Sequence, residues 1–393
     1  MLITSKKHLP PLDGLRGLAI LLVFFYHYAG GLQHTAHSAS MHVFGAIFGF
    51  GWSGVDLFFV LSGFLITGIL FDTQDDPAYY KKFYVRRSLR IFPIYYIFLV
   101  VYGLLAFLHL DGRFHLGHVA FLFYLGYPAT LLWPALESIS PSVHFTHLWS
   151  LCAEEQFYLV WPWVISRLRT PFLIVTACVT AIAVAPALRT FFVLHHLHAW
   201  EYAFLPSRMD ALAVGGLIAI LMRGRGKSIT EKWALPVFLT SSLCVIGICV
   251  ARRTADHADG LIGTAGFTFI AIAYGALLIL AICSGSVLER IFSLPLLRLF
   301  GKYSYGIYLF HFPLSEFLSP RREAFISTTH SFVIGSITFV VFCLLVNLLV
   351  AALSFHLIES PIIGLKKFFE YDGDTRAVKR AQLVAGPPEL ENV

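Results

Sequence analysis

Charge is what this chain has least of. Only 13% of its 393 residues are Asp, Glu, Lys or Arg, against 57% hydrophobic and a mean hydropathy of +0.73. That balance excludes an ordinary soluble domain and fits a polytopic membrane protein. Cysteine is scarce too: the six sit in or beside apolar runs without paired spacing, which argues against a disulfide framework and against a zinc site. The seventeen histidines do not change this, since His34, His37 and His42, like His195, His196 and His198, fall in polar loops where surface residues are the commoner reading. The N-terminus lacks a signal-peptide cleavage pattern, so the first apolar run, long enough to span, is expected to be retained. Nothing points to nucleic acid as a partner.

What is present is a series of apolar windows of spanning length, at about 14–33, 43–71, 91–110, 148–168, 171–188, 204–222, 233–251, 261–283, 300–318 and 331–358. An eleventh, 116–134, contains Gly126, Pro128 and Pro134 and is ambiguous. Basic residues arbitrate, because Lys and Arg collect on the cytoplasmic side. Ten spans with a cytoplasmic N-terminus place 21 Lys and Arg inside and seven outside, with Arg16 inside the first helix. An eleventh span inverts every later loop. The expectation is an all-α polytopic membrane protein of about ten helices with both termini cytoplasmic: a membrane domain over 1–361, and a partly disordered cytoplasmic tail over 362–393.

The polar residues inside these spans carry the functional argument, because charge in hydrocarbon is costly and usually does something. In Leu12-Asp-Gly-Leu-Arg through His27, Arg16 and His27 are eleven residues apart, which is three turns plus about 20° and one helical face. Asp13 falls within roughly 40° of the same line. The second span is rich in glycine and carries Asp56, either paired to an arginine or lining a tunnel. Next comes Phe83-Tyr-Val-Arg-Arg-Ser-Leu-Arg90, where Arg86, Arg87 and Arg90 sit at the cytoplasmic mouth and Arg87 and Arg90 can face a common anion, although simple positive-inside anchoring explains them equally well. His147, Ser150 and Glu154 recur at i, i+3 and i+7 on one face of the fourth span, with Glu155 adjacent. By the assigned topology this end lies near the level of His27, so the glutamates are expected to hold or relay a proton beside a His base. Arg208 and Asp210 in the sixth span, and Tyr303 and His311 in the ninth, stand as substrate-binding or structural groups of second rank.

Taken in order, Arg16 with His27, Gly51 to Thr67, Arg87-x-x-Arg90, His147-Leu-Trp-Ser-Leu through Tyr158, Arg208-Met-Asp210, and Tyr303-Ser-Tyr-Gly-Ile-Tyr-Leu-Phe-His311 resemble the acyltransferase-3 family of bacterial membrane O-acyltransferases. The likeness runs from about Pro11 to Pro361. It implies an acyl-coenzyme A donor, acetyl-coenzyme A first among them, approached from the cytoplasm. It also implies an essential histidine at His27 with Arg16 of the same motif, and donor contacts from Arg87 and Arg90. Some members add an esterase-like domain at the C-terminus.

The function expected on these grounds is transfer of an acyl group to a hydroxyl of a surface or lipid-linked carbohydrate at the outer face of the bacterial inner membrane, with His27 as general base, Glu154 and Glu155 tuning it, and no metal. The bilayer and a carbohydrate or glycolipid acceptor are the expected partners, and a homo-oligomer is compatible with the sequence. The competing class is a proton-coupled transporter or flippase using the same buried groups.

Overall fold

A computed structural model describes residues 9–29, 48–108, 116–126, 147–224 and 226–371. These residues are helical and contain no strand. Ten helices among them exceed fifteen residues: α1 (Pro10–Ala29), α2 (Gly54–Asp72), α3 (Tyr79–Phe107), α4 (Trp149–Leu168), α5 (Pro171–Leu194), α6 (Leu205–Leu221), α7 (Lys227–Arg252), α8 (Phe267–Ile282), α9 (Pro295–Leu318) and α10 (Phe332–Ser354). Local signals start several of them. Thr170 caps α5 through its side chain with Pro171 in the first turn, and Ser331 caps α10 in the same way.

Eight segments, built on every long helix except α4 and α9, are long and apolar enough to cross a membrane. The two exceptions are of similar length and carry the Glu154 and His311 motifs. Helices α2, α6 and α8 are mostly enclosed by protein, whereas α3, α5, α7 and α10 turn large apolar side chains outward, among them Leu104, Phe172, Leu243 and Leu349. That outer belt suits lipid, and of the enclosed helices α2 lines the site described below.

Small residues bring the inner helices close. A Cβ on Gly63 of α2 would stand 1.8 Å from the Leu212 carbonyl oxygen of α6, and one on Gly301 of α9 equally close to the Asp13 carbonyl oxygen of α1. Backbones in direct contact are a common way to pack helices where lipid offers no hydrophobic drive. Gly63→Leu is therefore expected to separate α2 from α6 and to abolish a monodisperse detergent-solubilised fraction, read by size-exclusion chromatography. An unchanged elution profile would contradict this packing.

The structure departs from the hydropathy reading in two places. Helix α3 begins at Tyr79, twelve residues before the apolar window, so Arg86, Arg87 and Arg90 lie on a helix and not in a loop. An apolarity window registers only the lipid-facing part of a helix, and its polar first turns escape it. Beyond α10 the chain continues as helical turns, Ser360–Ile363 and Gly364–Phe369, that pack against α3. Residues 362–371 of the expected tail thus pack on α3, while 372–393 and 127–134 lie outside the described residues, as do His34, His37 and His42.

Candidate active site

One end of the bundle gathers cations. Arg86, Arg87 and Arg90 descend one side of α3, and Arg16 faces them from α1, bonded to Asp13 at 3.4 Å. Together with Lys366, Glu370 and Tyr371 from the segment after α10, these arginines surround a cavity of about 600 Å³. Burial pushes the Tyr371 phenol up to about 12, so it stays protonated beside them.

Arg16, Arg87 and Arg90 also line a second, narrower chamber of about 100 Å³ that runs inward. Its walls include Phe58, Phe59 and Ser62 of α2, Ser150, Glu154 and Tyr158 of α4, and Tyr305 and Tyr308 of α9. The same three arginines line both spaces, the wide one chiefly basic and the narrow one rich in hydroxyls. Ser62 donates to a Glu154 carboxylate oxygen and meets the Tyr158 hydroxyl at 2.9 Å, while the Arg87 guanidinium lies over the Tyr158 ring, 4.6 Å from its centroid.

Tyr308 stands at the inner end. Its hydroxyl donates to the His147 carbonyl, and because a phenol has a single hydrogen, Ser150 must be the donor in the 2.5 Å hydrogen bond between the two hydroxyls. Behind Tyr308 lie three histidines, from α1, α9 and the turn that leads into α4: His311 is 4.8 Å from His27 and 5.4 Å from His147 between ring centroids, with the Phe312 ring against both His27 and His147.

Backbone bonds fix the tautomers. His27 Nδ1 is 2.9 Å from the Val23 carbonyl oxygen, and His311 Nδ1 is 2.6 Å from that of Tyr308. A carbonyl can only accept, so Nδ1 carries the hydrogen and Nε2 of each neutral ring keeps its lone pair. His311 Nε2 is buried without a hydrogen-bond partner. Among the described residues no group of three His, Cys, Asp or Glu side chains is placed to hold a metal ion.

The sequence-chosen residues therefore divide. Arg16, Arg87, Arg90, Ser150 and Glu154 line the narrow chamber; His27, His147 and His311 share the cluster behind it. His27 lines neither cavity. Glu154 lies among the arginines and not beside His27, because it is seven residues from His147, about 10 Å along α4. A Glu155 carboxylate oxygen is buried without a hydrogen-bond partner.

Others pair with side chains outside both cavities. Asp56 bonds Arg208 at 2.6 Å, and Asp210 bonds Arg189 at 2.8 Å, all four buried. The Tyr303 hydroxyl turns to His356 at 3.0 Å, whereas its neighbour Tyr305 lines the chamber. Arg86 donates to the carbonyls of Lys366 and Phe369.

Sequence reasoning passed over Ser62, Tyr158, Tyr308, His257 and Lys366. Tyr158 is four residues after Glu154 and Tyr308 three before His311, spacings that put each on the face of its neighbour. His257, in the turn after α7, packs on Trp52 and Tyr202 at the end of the bundle nearer His27, and burial moves its imidazole below the usual range.

The acyltransferase-3 family, described as an acyltransferase domain, matches residues 10–355. The chain is 28% identical to peptidoglycan O-acetyltransferase OatA of Listeria monocytogenes, over 91% of this chain and 56% of that protein. It is 30% identical to a Bacillus subtilis protein provisionally named peptidoglycan O-acetyltransferase YrhL, over 91% of this chain and 55% of the other. A Staphylococcus aureus protein provisionally named an O-acetyltransferase is 26% identical over 91% of this chain and 58% of its own length. The chain thus spans a little over half the length of these relatives. No solved structure matches it.

Proposed function

Because this chain belongs to the acyltransferase-3 family, we propose that it moves an acetyl group from cytoplasmic acetyl-coenzyme A to a hydroxyl of a cell-envelope carbohydrate, with peptidoglycan as the first acceptor to test. The observation that carries the reading is the pair of cavities that Arg16, Arg87 and Arg90 line in common. An acyl-coenzyme A has a polyanionic nucleotide and a slender uncharged arm. The wide basic vestibule suits the phosphates, which guanidinium forks bind well, and the narrow chamber suits the arm.

Arg16 and His27 are separated by about 16 Å along α1, the distance the arm has to cover from the arginines to the histidines. There the acceptor hydroxyl gives its proton to His27 Nε2 as its oxygen attacks the thioester carbonyl. The tetrahedral intermediate collapses by breaking the C–S bond, and the proton passes to the leaving thiolate. To stabilise the oxyanion, a hydroxyl of Tyr158, Tyr308 or Ser62 turns from the acceptor it holds in this structure. Enclosure by α2, α4 and α9 keeps water from competing for the thioester.

The donor side is tested by Arg87→Ala. Without its charge-assisted hydrogen bond to a phosphate, the enzyme is expected to show a KM for acetyl-coenzyme A raised about 10–100-fold, with kcat little changed. An unaltered KM in a folded protein contradicts a phosphate site at these arginines.

A further inference from the structure

The segment that follows α10 does not leave the protein. From Ser360 it turns through two short helical pieces and lies on the first turns of α3. Arg86 is the clasp: one guanidinium nitrogen donates to the backbone oxygens of Lys366 at 3.4 Å and Phe369 at 3.2 Å, and the guanidinium sits 5.4 Å from the Tyr371 ring centroid. So held, Lys366, Glu370 and Tyr371 form one wall of the vestibule, opposite Arg16, Arg87 and Arg90.

Two features set Lys366 apart from its neighbour. Lys366 lines the cavity and is half-buried, whereas Lys367 is exposed, lies outside the lining and rests on Phe368. Among the described residues the lining holds four arginines and one lysine against a single carboxylate, Glu370, with Asp13 bonded to Arg16 beside it, around a cavity with room for a large anion. Cations crowded into a partly enclosed space repel one another, and an anion bound among them relieves that cost.

We propose that residues 364–371 are a strap that completes the nucleotide-binding end of the donor site, with Lys366 contacting a phosphate of coenzyme A and Arg86 acting as a positioning residue that fixes the strap. This rests on the reading of the vestibule as the donor entrance and extends it to residues beyond the last span. Two parts of the chain nearly three hundred residues apart build one site. The strap lies past residue 355, where the family match ends, so it is a part of the site that the shared pattern does not include.

The test is direct binding of coenzyme A to the full chain in nanodiscs, with pantetheine, which lacks every phosphate, as a second probe. Lys366→Gln is expected to weaken coenzyme A binding about tenfold. Its pantetheine binding should match wild type, Lys366→Arg should restore coenzyme A binding, and Lys367→Gln should not alter it. Equal weakening by Lys367→Gln would reduce the effect to net charge and overturn the strap's role, as would a loss in Lys366→Gln that extends to pantetheine. Wild-type binding of coenzyme A with Lys366→Gln indistinguishable from it would overturn this inference and leave the donor reading intact. Failure of folded wild type to bind coenzyme A at all would overturn both.

Discussion

Replacing His27 by Ala is expected to lower acetyl transfer by about 10²–10⁴-fold, the usual loss when a general base is removed. Coenzyme A binding and thermal stability should stay close to wild type. Affinity is predicted to survive because the arginines that hold the nucleotide lie about 16 Å away, at the far end of α1. The tautomer supplies the chemical reason: the Val23 carbonyl holds the hydrogen on Nδ1 and leaves Nε2 to take the acceptor's proton. Initial rates of thiol release from acetyl-coenzyme A in the presence of acceptor, beside an equilibrium binding curve, separate the two quantities. A His27→Ala protein with unchanged rate has no base at that position, and one that also loses coenzyme A binding places His27 in the donor site.

The second large effect is on stability. Asp56→Asn is expected to destabilise the protein by about 3–5 kcal/mol, because it leaves the buried Arg208 guanidinium without its carboxylate. Arg208 has little else to turn to. Two of its nitrogens already lack hydrogen-bond partners, and its charge lies 3.6 Å from the Phe267 ring centroid. Breaking one side of such a pair is costly, whereas removing both charges together is often tolerated. Thermal unfolding in detergent should therefore show a large fall for Asp56→Asn and recovery in Asp56→Leu/Arg208→Met. A double variant as unstable as the single would mean that Arg208 answers to some group other than Asp56.

Much of the frame was legible in the sequence because lipid imposes one simple demand, a long apolar helix. The ten windows correspond to the ten long helices, with α3 extended at its polar start. The one-face alignment of Arg16 and His27 was legible for a related reason, since helical periodicity within one segment follows from counting. Partners across helices do not follow from counting. That Asp56 meets Arg208, or that His27 meets His311, depends on how helices far apart in sequence cross. The placement of the glutamates shows the same limit: His147, in the turn that leads into α4, stands in the histidine cluster, while Glu154 bonds Ser62 about two turns further along. Lys366 escaped notice because a charged stretch after a last span reads as tail, and only its clasp by Arg86 puts it in the wall of a cavity.

In the proposed reaction acetyl groups enter at the arginines and leave as esters through His27. The most direct measurement uses purified protein in nanodiscs with acetyl-labelled coenzyme A and peptidoglycan fragments, wild type beside His27→Ala, with label followed in the fragments. Labelled, alkali-labile ester is expected in the wild-type reaction and essentially none in the variant. Folded wild type that neither labels the carbohydrate nor releases coenzyme A, across several acyl donors and envelope acceptors, would contradict acyl transfer and favour a transporter built on the same buried groups.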